Sequence, residues 1–202
     1  EDGAQSFGST FKRKKSCSLS TIGITSFFPS KTLGCYGDGG AIFTNNKSLF
    51  SKLKQIRVHG QSFKDNHVRN GIQGRMDTMQ CAIILAKFKL FQKELIQRKK
   101  ISNGYKQFFK SQNYNKIKLL KENPLVNSNY YQFCLIVENR RDLIKFLRLR
   151  KIPFNIYYPK PLNMHKPYKS YSTKNDNKNS SYLSKRIISL PMSAYLSIKE
   201  QN

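Results

Sequence analysis

Apolar positions along the first 45 residues come in short bursts separated by Gly and Ser, the rhythm of strands joined by tight turns. Ser26-Phe27-Phe28 reads as a buried strand that Pro29 breaks, Gly34 to Gly40 as a tight loop, and Ala41-Ile42-Phe43-Thr44 as a second strand. From Ser48 to Val58 the spacing becomes helical, with Leu49, Leu53 and Ile56 on one face, and His59-Gly60 ends the helix. The polar stretch Gln61 to Gly74 is expected to be a loop. Asp77, followed three residues later by Gln80, has the form of a capping box, so a long helix should run from about Met79 towards Lys110. Its first half, Cys81 to Leu90, is apolar apart from Lys87 and Lys89, which predicts burial on more than one side; the second half is amphipathic.

Beyond Lys110 the elements shorten. Tyr130 to Val137 is a strand candidate, Arg141 to Arg150 a helix with Leu143, Phe146, Leu147 and Leu149 apolar, and Ile152 to Tyr158 a second strand. Strand, helix and strand make a small α/β layer. Lys169 to Ser181, rich in Ser, Asn and Lys, is expected to be a mobile loop, with a short helix beginning between Tyr182 and Ile188. The chain therefore reads as α/β, divided into a first domain over 1–90 that includes the start of the long helix and a smaller α/β domain over 91–202. No internal repeat is visible, and no apolar run reaches the roughly 18 residues of a membrane span.

Composition confirms that the chain can build a core: 14 Phe and 11 Tyr lie among its 202 residues. Charge is the unusual feature, with 37 Lys plus Arg against 11 Asp plus Glu, a net +26. Basic domains gain affinity for nucleic acid by releasing counterions from phosphates. Here the cations are scattered from Lys12 to Lys199 with only short clusters such as Lys12-Arg13-Lys14-Lys15 and Arg98-Lys99-Lys100, so surface drift is the preferred reading and no specific nucleic-acid partner is expected. Cys17, Cys35, Cys81 and Cys134 form no CxxC pair, which disfavours zinc. Cys81 and Cys134 lie in apolar runs and are expected to be buried thiols, consistent with a reducing compartment, here the cytoplasm.

Lys31 is the first candidate for chemistry. It follows an apolar strand and a proline and precedes Thr32-Leu33-Gly34, so its amine is expected to point into a glycine-lined loop. A lysine that bonds covalently to a carbonyl cofactor must be desolvated and set among polar groups that favour its neutral form. Pyridoxal phosphate further requires a carboxylate on the pyridine nitrogen and hydroxyl or amide donors for the phosphate and ring oxygen. Asp2, Gln5 and Ser26 are groups of those three kinds, although each taken alone would serve equally as a turn or capping residue.

Several segments, in order over essentially the whole chain, carry a resemblance. They are EDGAQSFGS at 1–9, SFFPSKTLGCYGDGGAIFTN at 26–45, RVHGQ at 57–61, GIQGRMDTMQCAIILAK at 71–87, YYPKPL from 157 and SLPM from 189. With them the chain resembles the DegT/DnrJ/StrS sugar-nucleotide aminotransferases, pyridoxal-phosphate enzymes of the aspartate-aminotransferase fold, type I. The resemblance implies that residues 1–90 are part of the large cofactor-binding domain and 91–202 the small C-terminal domain. It implies that Lys31 holds the cofactor and shuttles a proton, that Asp2 meets the pyridine nitrogen, that Ala4 packs near the ring face, that Gln5 contacts the ring oxygen and that Ser26 binds the phosphate. Gln73 would reach the phosphate of a neighbouring subunit in a homodimer, and Arg75, Tyr157 and Tyr158 would face the substrate. The implied reaction moves an amino group from an amino acid, expected to be L-glutamate, to a nucleotide-linked keto sugar, with a lean towards 3-keto sugars of the UDP-N-acetylglucosamine series in cell-surface polysaccharide or lipopolysaccharide assembly.

The chain also departs from the family pattern. Gln73 stands where Asn is usual, Tyr157-Tyr158-Pro159 replaces a His-Tyr-Pro run, and Asn163 and Ser193-Ala194 stand where further His-containing patterns occur. The family's N-terminal part precedes the segment matching Glu1-Asp2-Gly3, so the beginning is expected to be a cut. Two other readings therefore stand beside the first: a truncated, catalytically inactive remnant, and a basic nucleic-acid-binding module.

Overall fold

The computed structural model describes residues 1–112, 114–171 and 177–201. The chain is α/β and divides into two compact units, one made of Glu1–Ile96 with Asn123–Tyr131 and the other of Gln97–Glu122 with Gln132–Asn202.

In the first unit the short strands β1 (Thr10–Phe11) and β2 (Lys14–Lys15) pair antiparallel, and β8 (Val126–Asn127) adds to the other edge of β1. Strands β3 (Gly23–Ser26) and β4 (Gly40–Phe43) form an antiparallel pair in the register Ile24 to Ile42. Helix α1 (Lys47–Arg57) follows, capped by Asn46 Oδ1, which accepts the N–H of Leu49 at 3.0 Å. Gly60 has φ +76°, and a Cβ there would fall against the Arg69 carbonyl, so only glycine can make the exit from α1. The expected loop after it contains a hairpin, β5 (Gln61–Phe63) with β6 (Asn66–His67), which the polar composition concealed. The strand expected to include Phe27 and Phe28 ends at Ser26.

Helix α2 (Thr78–Ser111) confirms the long helix and continues from the first unit into the second. Asp77 Oδ1 accepts the N–H of Met79 at 2.8 Å, but Gln80 does not close the box: its Oε1 accepts the N–H of Tyr36 at 2.8 Å. The expected burial of Cys81–Leu90 on several sides is corrected as well. Ile84 is buried, whereas Leu85, Phe88 and Leu90 are about half exposed or more, because apolar content produces burial only where the described chain supplies a packing surface. That surface is the cluster Phe27, Leu33, Cys35, Ile84 and Phe91. Phe7 joins its edge, with its ring 5.6 Å from Phe91 and 6.2 Å from Phe27.

The second unit is a three-stranded antiparallel sheet, β7 (Ile117–Leu119), β9 (Phe133–Val137) and β10 (Ile187–Leu190), with β9 central. Alternation along β9 buries Phe133, Leu135 and Val137 against Ile101 and Tyr105 of α2, Leu147 of α3 (Arg140–Leu149) and Ile188. Leu149 of α3 is 81% exposed and Phe146 half exposed, so only part of the expected apolar face is used. The expected strand Ile152 to Tyr158 does not form. Pro153 has no N–H to give a ladder, and the segment meets β10 through one bridge, Asn155 to Ser189. Short 3₁₀ turns occupy Leu162–Met164 and Lys166–Tyr171, and helix α4 spans Lys178–Ser184. Of the expected loop Lys169 to Ser181, residues 172–176 lie outside the described residues, while 169–171 belong to the second 3₁₀ turn and 178–181 to α4; Ile187-Ile188 belong to β10 rather than to a helix. Helix α5 (Ile198–Gln201) closes the chain, tied to α2 by Gln201 Nε2 donating to Ile101 O at 2.7 Å.

Among the described residues no helix is long and apolar enough to cross a membrane, and no group of three or more His, Cys, Asp or Glu is placed to hold a metal ion. All four cysteines are free; Cys35 and Cys17 are buried, while Cys81 and Cys134, expected to be buried, are only half-buried.

Candidate active site

The opening segment runs beside β3 as a short parallel pairing. Gly3 N donates to Ile24 O at 2.7 Å, Ile24 N donates to Glu1 O at 2.9 Å, and Asp2 bridges Ile24. Side chains alternate across a strand, so Ile24 and Ser26 share one face while Thr25 turns into the interior, where its Oγ1 donates to Gly3 O at 3.2 Å. The pairing sets Asp2 on the face of Ile24 and Ser26. Gly3 is required here because a Cβ would run into Cys17 Sγ. Asp2 Oδ1 accepts the N–H of Ala4 at 2.9 Å, leaving the second carboxylate oxygen for another donor. Ser26 Oγ accepts the N–H of Phe28 at 3.2 Å, and its own hydroxyl proton remains available to donate. Just outside this group, burial pulls the Glu1 carboxyl up, yet the N–H groups of Cys17 and Leu19 and the Ser16 hydroxyl together hold it below its ordinary value.

Lys31 stands at the end of the turn that leaves β3. Its N–H donates to Phe28 O at 2.9 Å, and the half-buried side chain places Nζ 5.4 Å from the centre of the Tyr131 ring. The amine therefore faces an aromatic ring rather than the glycine-lined loop expected for it. The loop has its own cation: Lys87 Nζ donates to Gly34 O and lies 5.3 Å from the centre of the Tyr36 ring. Lys31 forms no ion pair among the described residues.

Two residues of this neighbourhood carried no signal in the sequence. Tyr131 lies against Lys31, with its hydroxyl 3.5 Å from Ser30 Oγ. Asn129 is 4% exposed; its Nδ2 donates to Gln5 O at 2.9 Å, Phe7 O at 3.0 Å and Thr32 Oγ1 at 3.1 Å. Local pattern could not reveal contacts made across some hundred residues of chain.

The remaining candidates fall elsewhere. Gln73 bridges Val58, and its Oε1 accepts the Nε–H of Arg75 at 2.9 Å, so the two side chains are joined to each other. Arg75 also lines an open cavity of about 530 Å³ with Gly37 to Gly40, Met76, Asp77 and Gln80. Tyr157 and Tyr158 belong to the second unit, their rings 5.6 Å apart and nearly perpendicular, with Tyr158 exposed. Asp2 and Ser26 thus share one face beside β3, with Ala4 and Gln5 following Asp2 in the chain and Lys31 in the turn that leaves β3; Gln73 and Arg75 pair elsewhere in the same unit.

The model of the DegT/DnrJ/EryC1/StrS aminotransferase family matches residues 1–202. Among curated relatives, a UDP-2-acetamido-2-deoxy-3-oxo-D-glucuronate aminotransferase of Pseudomonas aeruginosa is 42% identical over 167 residues, covering 81% of this chain and 45% of the relative. A pleiotropic regulatory protein of Geobacillus stearothermophilus is 33% identical over 202 residues, covering 100% of this chain and 54% of the relative. A crystal structure of a DegT DnrJ EryC1 StrS aminotransferase from Brucella abortus superposes with a TM-score of 0.93 at 37% identity, covering 100% of this chain and 53% of that one. The chain spans about half the length of the relatives it matches.

Proposed function

Because the chain belongs to the DegT/DnrJ/EryC1/StrS aminotransferase family, we propose that it binds pyridoxal 5'-phosphate on Lys31 and serves the transfer of an amino group from an amino acid to a nucleotide-linked keto sugar. The observation that carries this reading is the gathering of Asp2 and Ser26 on one sheet face beside the Lys31 turn. L-Glutamate is the donor assigned. The relative from Pseudomonas aeruginosa, named for a UDP-linked 3-oxo sugar acid, favours a UDP-linked 3-keto sugar and a place in surface-glycan synthesis.

The donor set fits the cofactor in kind. An anionic carboxylate with one oxygen uncommitted, a hydroxyl with a free proton and an amine without an ionic partner supply the charges and donors that such a ligand needs. Bound there, pyridoxal phosphate would supply the electron sink for chemistry at the substrate's amine-bearing carbon. Asp2 would hold a proton on the pyridine nitrogen, and the Ser26 hydroxyl and Gln5 amide would donate to the phosphate and ring oxygen. Ala4, small and half-buried, would allow the ring to approach the backbone. Lys31 Nζ would carry the cofactor and then accept and return the proton at the substrate carbon. In a homodimer Gln73 would turn to the partner's phosphate, and Arg75, Tyr157 and Tyr158 to the sugar nucleotide.

The test is direct. Added pyridoxal phosphate should colour the purified protein, and borohydride should fix the cofactor to the peptide that contains Lys31. Lys31→Ala should abolish both signals. A wild-type protein that stays colourless and unlabelled overturns the assignment and favours a catalytically inactive chain. Nitrogen transfer from isotopically labelled glutamate to a UDP-linked 3-keto sugar then tests donor and acceptor.

A further inference from the structure

Asn129 holds the two halves of the candidate site to each other. Its Nδ2 faces three acceptors: the backbone carbonyls of Gln5 and Phe7 and the hydroxyl oxygen of Thr32. Carbonyls can only accept, so the nitrogen must point at them, and its two hydrogens are shared among three partners. Oδ1 accepts the N–H of Tyr131 at 3.1 Å, and the Asn129 backbone N–H donates to Ser9 Oγ at 2.9 Å. One buried side chain thus touches the segment bearing Asp2 and Gln5, the residue following Lys31, and the residue whose ring lies over the Lys31 amine. Only a carboxamide fits: aspartate would set an acceptor against two carbonyls, and serine could not span donor and acceptor partners at once.

We propose that Asn129 is a positioning residue for the Lys31 amine, fixing the Gln5 segment to the Lys31 turn through Thr32 and seating Tyr131 on the amine through its N–H. The inference rests on the cofactor reading above for its purpose, while its geometry can be tested with no cofactor present. Thr32 is the arm that reaches the lysine; Ser9 is an arm of the same asparagine that does not. Cutting the first should release the amine, and cutting the second should only loosen the fold.

Trace acetylation of the full chain without cofactor, read by mass spectrometry as the reactivity of Lys31 relative to an exposed lysine such as Lys52, measures the amine directly. Asn129→Asp and Thr32→Val should each change that ratio severalfold. Thr32→Ser, which keeps the hydroxyl, should restore the wild-type ratio, and Ser9→Ala should lower the urea midpoint with the ratio unchanged. In parallel, Thr32→Val should weaken binding of pyridoxal phosphate by about tenfold, the equivalent of one lost hydrogen bond. If Ser9→Ala and Thr32→Val change the ratio alike, or Thr32→Val leaves it unchanged, Asn129 is merely structural and the proposal falls. Should the ratio respond as expected in a protein that binds no pyridoxal phosphate, positioning stands and the cofactor reading fails instead.

Discussion

Phe7→Ala measures how firmly the site-bearing segment is packed. The Phe7 ring meets those of Phe27, Phe43 and Phe91 at 5.6 to 6.2 Å, so one half-buried side chain joins residues 1–9 to the β3 turn, β4 and α2. Full burial of a phenylalanine is worth about 3 kcal/mol by area, of which a half-buried ring claims about half. Each aromatic pair adds roughly 0.5 kcal/mol, so truncation should cost about 3 kcal/mol in all. At a urea dependence of about 2 kcal/mol per molar, the midpoint followed by circular dichroism should fall by about 1.5 M. Phe63 on β5 is the control: it is 69% exposed, so by the same area arithmetic Phe63→Ala should cost about 1 kcal/mol, roughly a third of the Phe7 effect. Equal midpoint shifts for the two variants would refute the claim that Phe7 carries the packing of this segment.

Three further outcomes follow from the same structure. Leu135, 1% exposed in the core of the second unit, should cost about 2–5 kcal/mol when cut to alanine, while the borohydride-fixed label on Lys31 persists under native conditions; loss of label without loss of stability contradicts this. Gly60→Ala, forced against the Arg69 carbonyl at positive φ, should lower the urea midpoint by the equivalent of about 1 kcal/mol or more, and a neutral result would show that the exit from α1 is built differently. Burial raises the Cys17 and Cys134 thiols and the Tyr105 phenol above their ordinary values, so the folded chain keeps protons that the unfolded chain releases. Their contribution to stability is complete below the free thiol value of about 8.5 and is lost as pH rises through the raised folded values, so a urea midpoint that stays flat or rises above that point contradicts the assignment.

What the residues announce in advance depends on how local the cause is. Helix α1 and strand β4 were legible because spacing and flanking Asn, Gly and His act within a few residues, and α2 because its cap and apolar period persist through the chain. Ile152 to Tyr158 misled because alternating apolar residues describe a face, whereas a ladder also needs an N–H at Pro153 and a neighbour in register. The apolar run Cys81–Leu90 misled in another way, since periodicity reports what a helix could bury and not what lies against it. Lys31, Asp2, Gln5 and Ser26 stood out as residue types in a specific order. Asn129 did not: its importance comes from partners 97 to 124 positions away, and an isolated asparagine after Asn127-Ser128 looks like any loop.

The charge of +26 takes its meaning from what the cations touch. With 11 carboxylates for 37 basic side chains, most cannot find an acid, and aromatic faces take up part of the difference. Lys54 lies over Phe50 four residues before it, Arg150 over Phe146 and Arg186 over Tyr182 at the same spacing, which is the reach of neighbouring turns on one helix face or at its end. Contacts of that kind arise locally, wherever a basic residue follows an aromatic by one turn, and are worth about 0.5–1 kcal/mol each at exposed sites. They require no anionic partner. Lys31 over Tyr131 differs because those residues are a hundred positions apart and are brought together through the Asn129 network. Its geometry, like that of Lys87 over Tyr36, follows from the fold rather than from sequence adjacency.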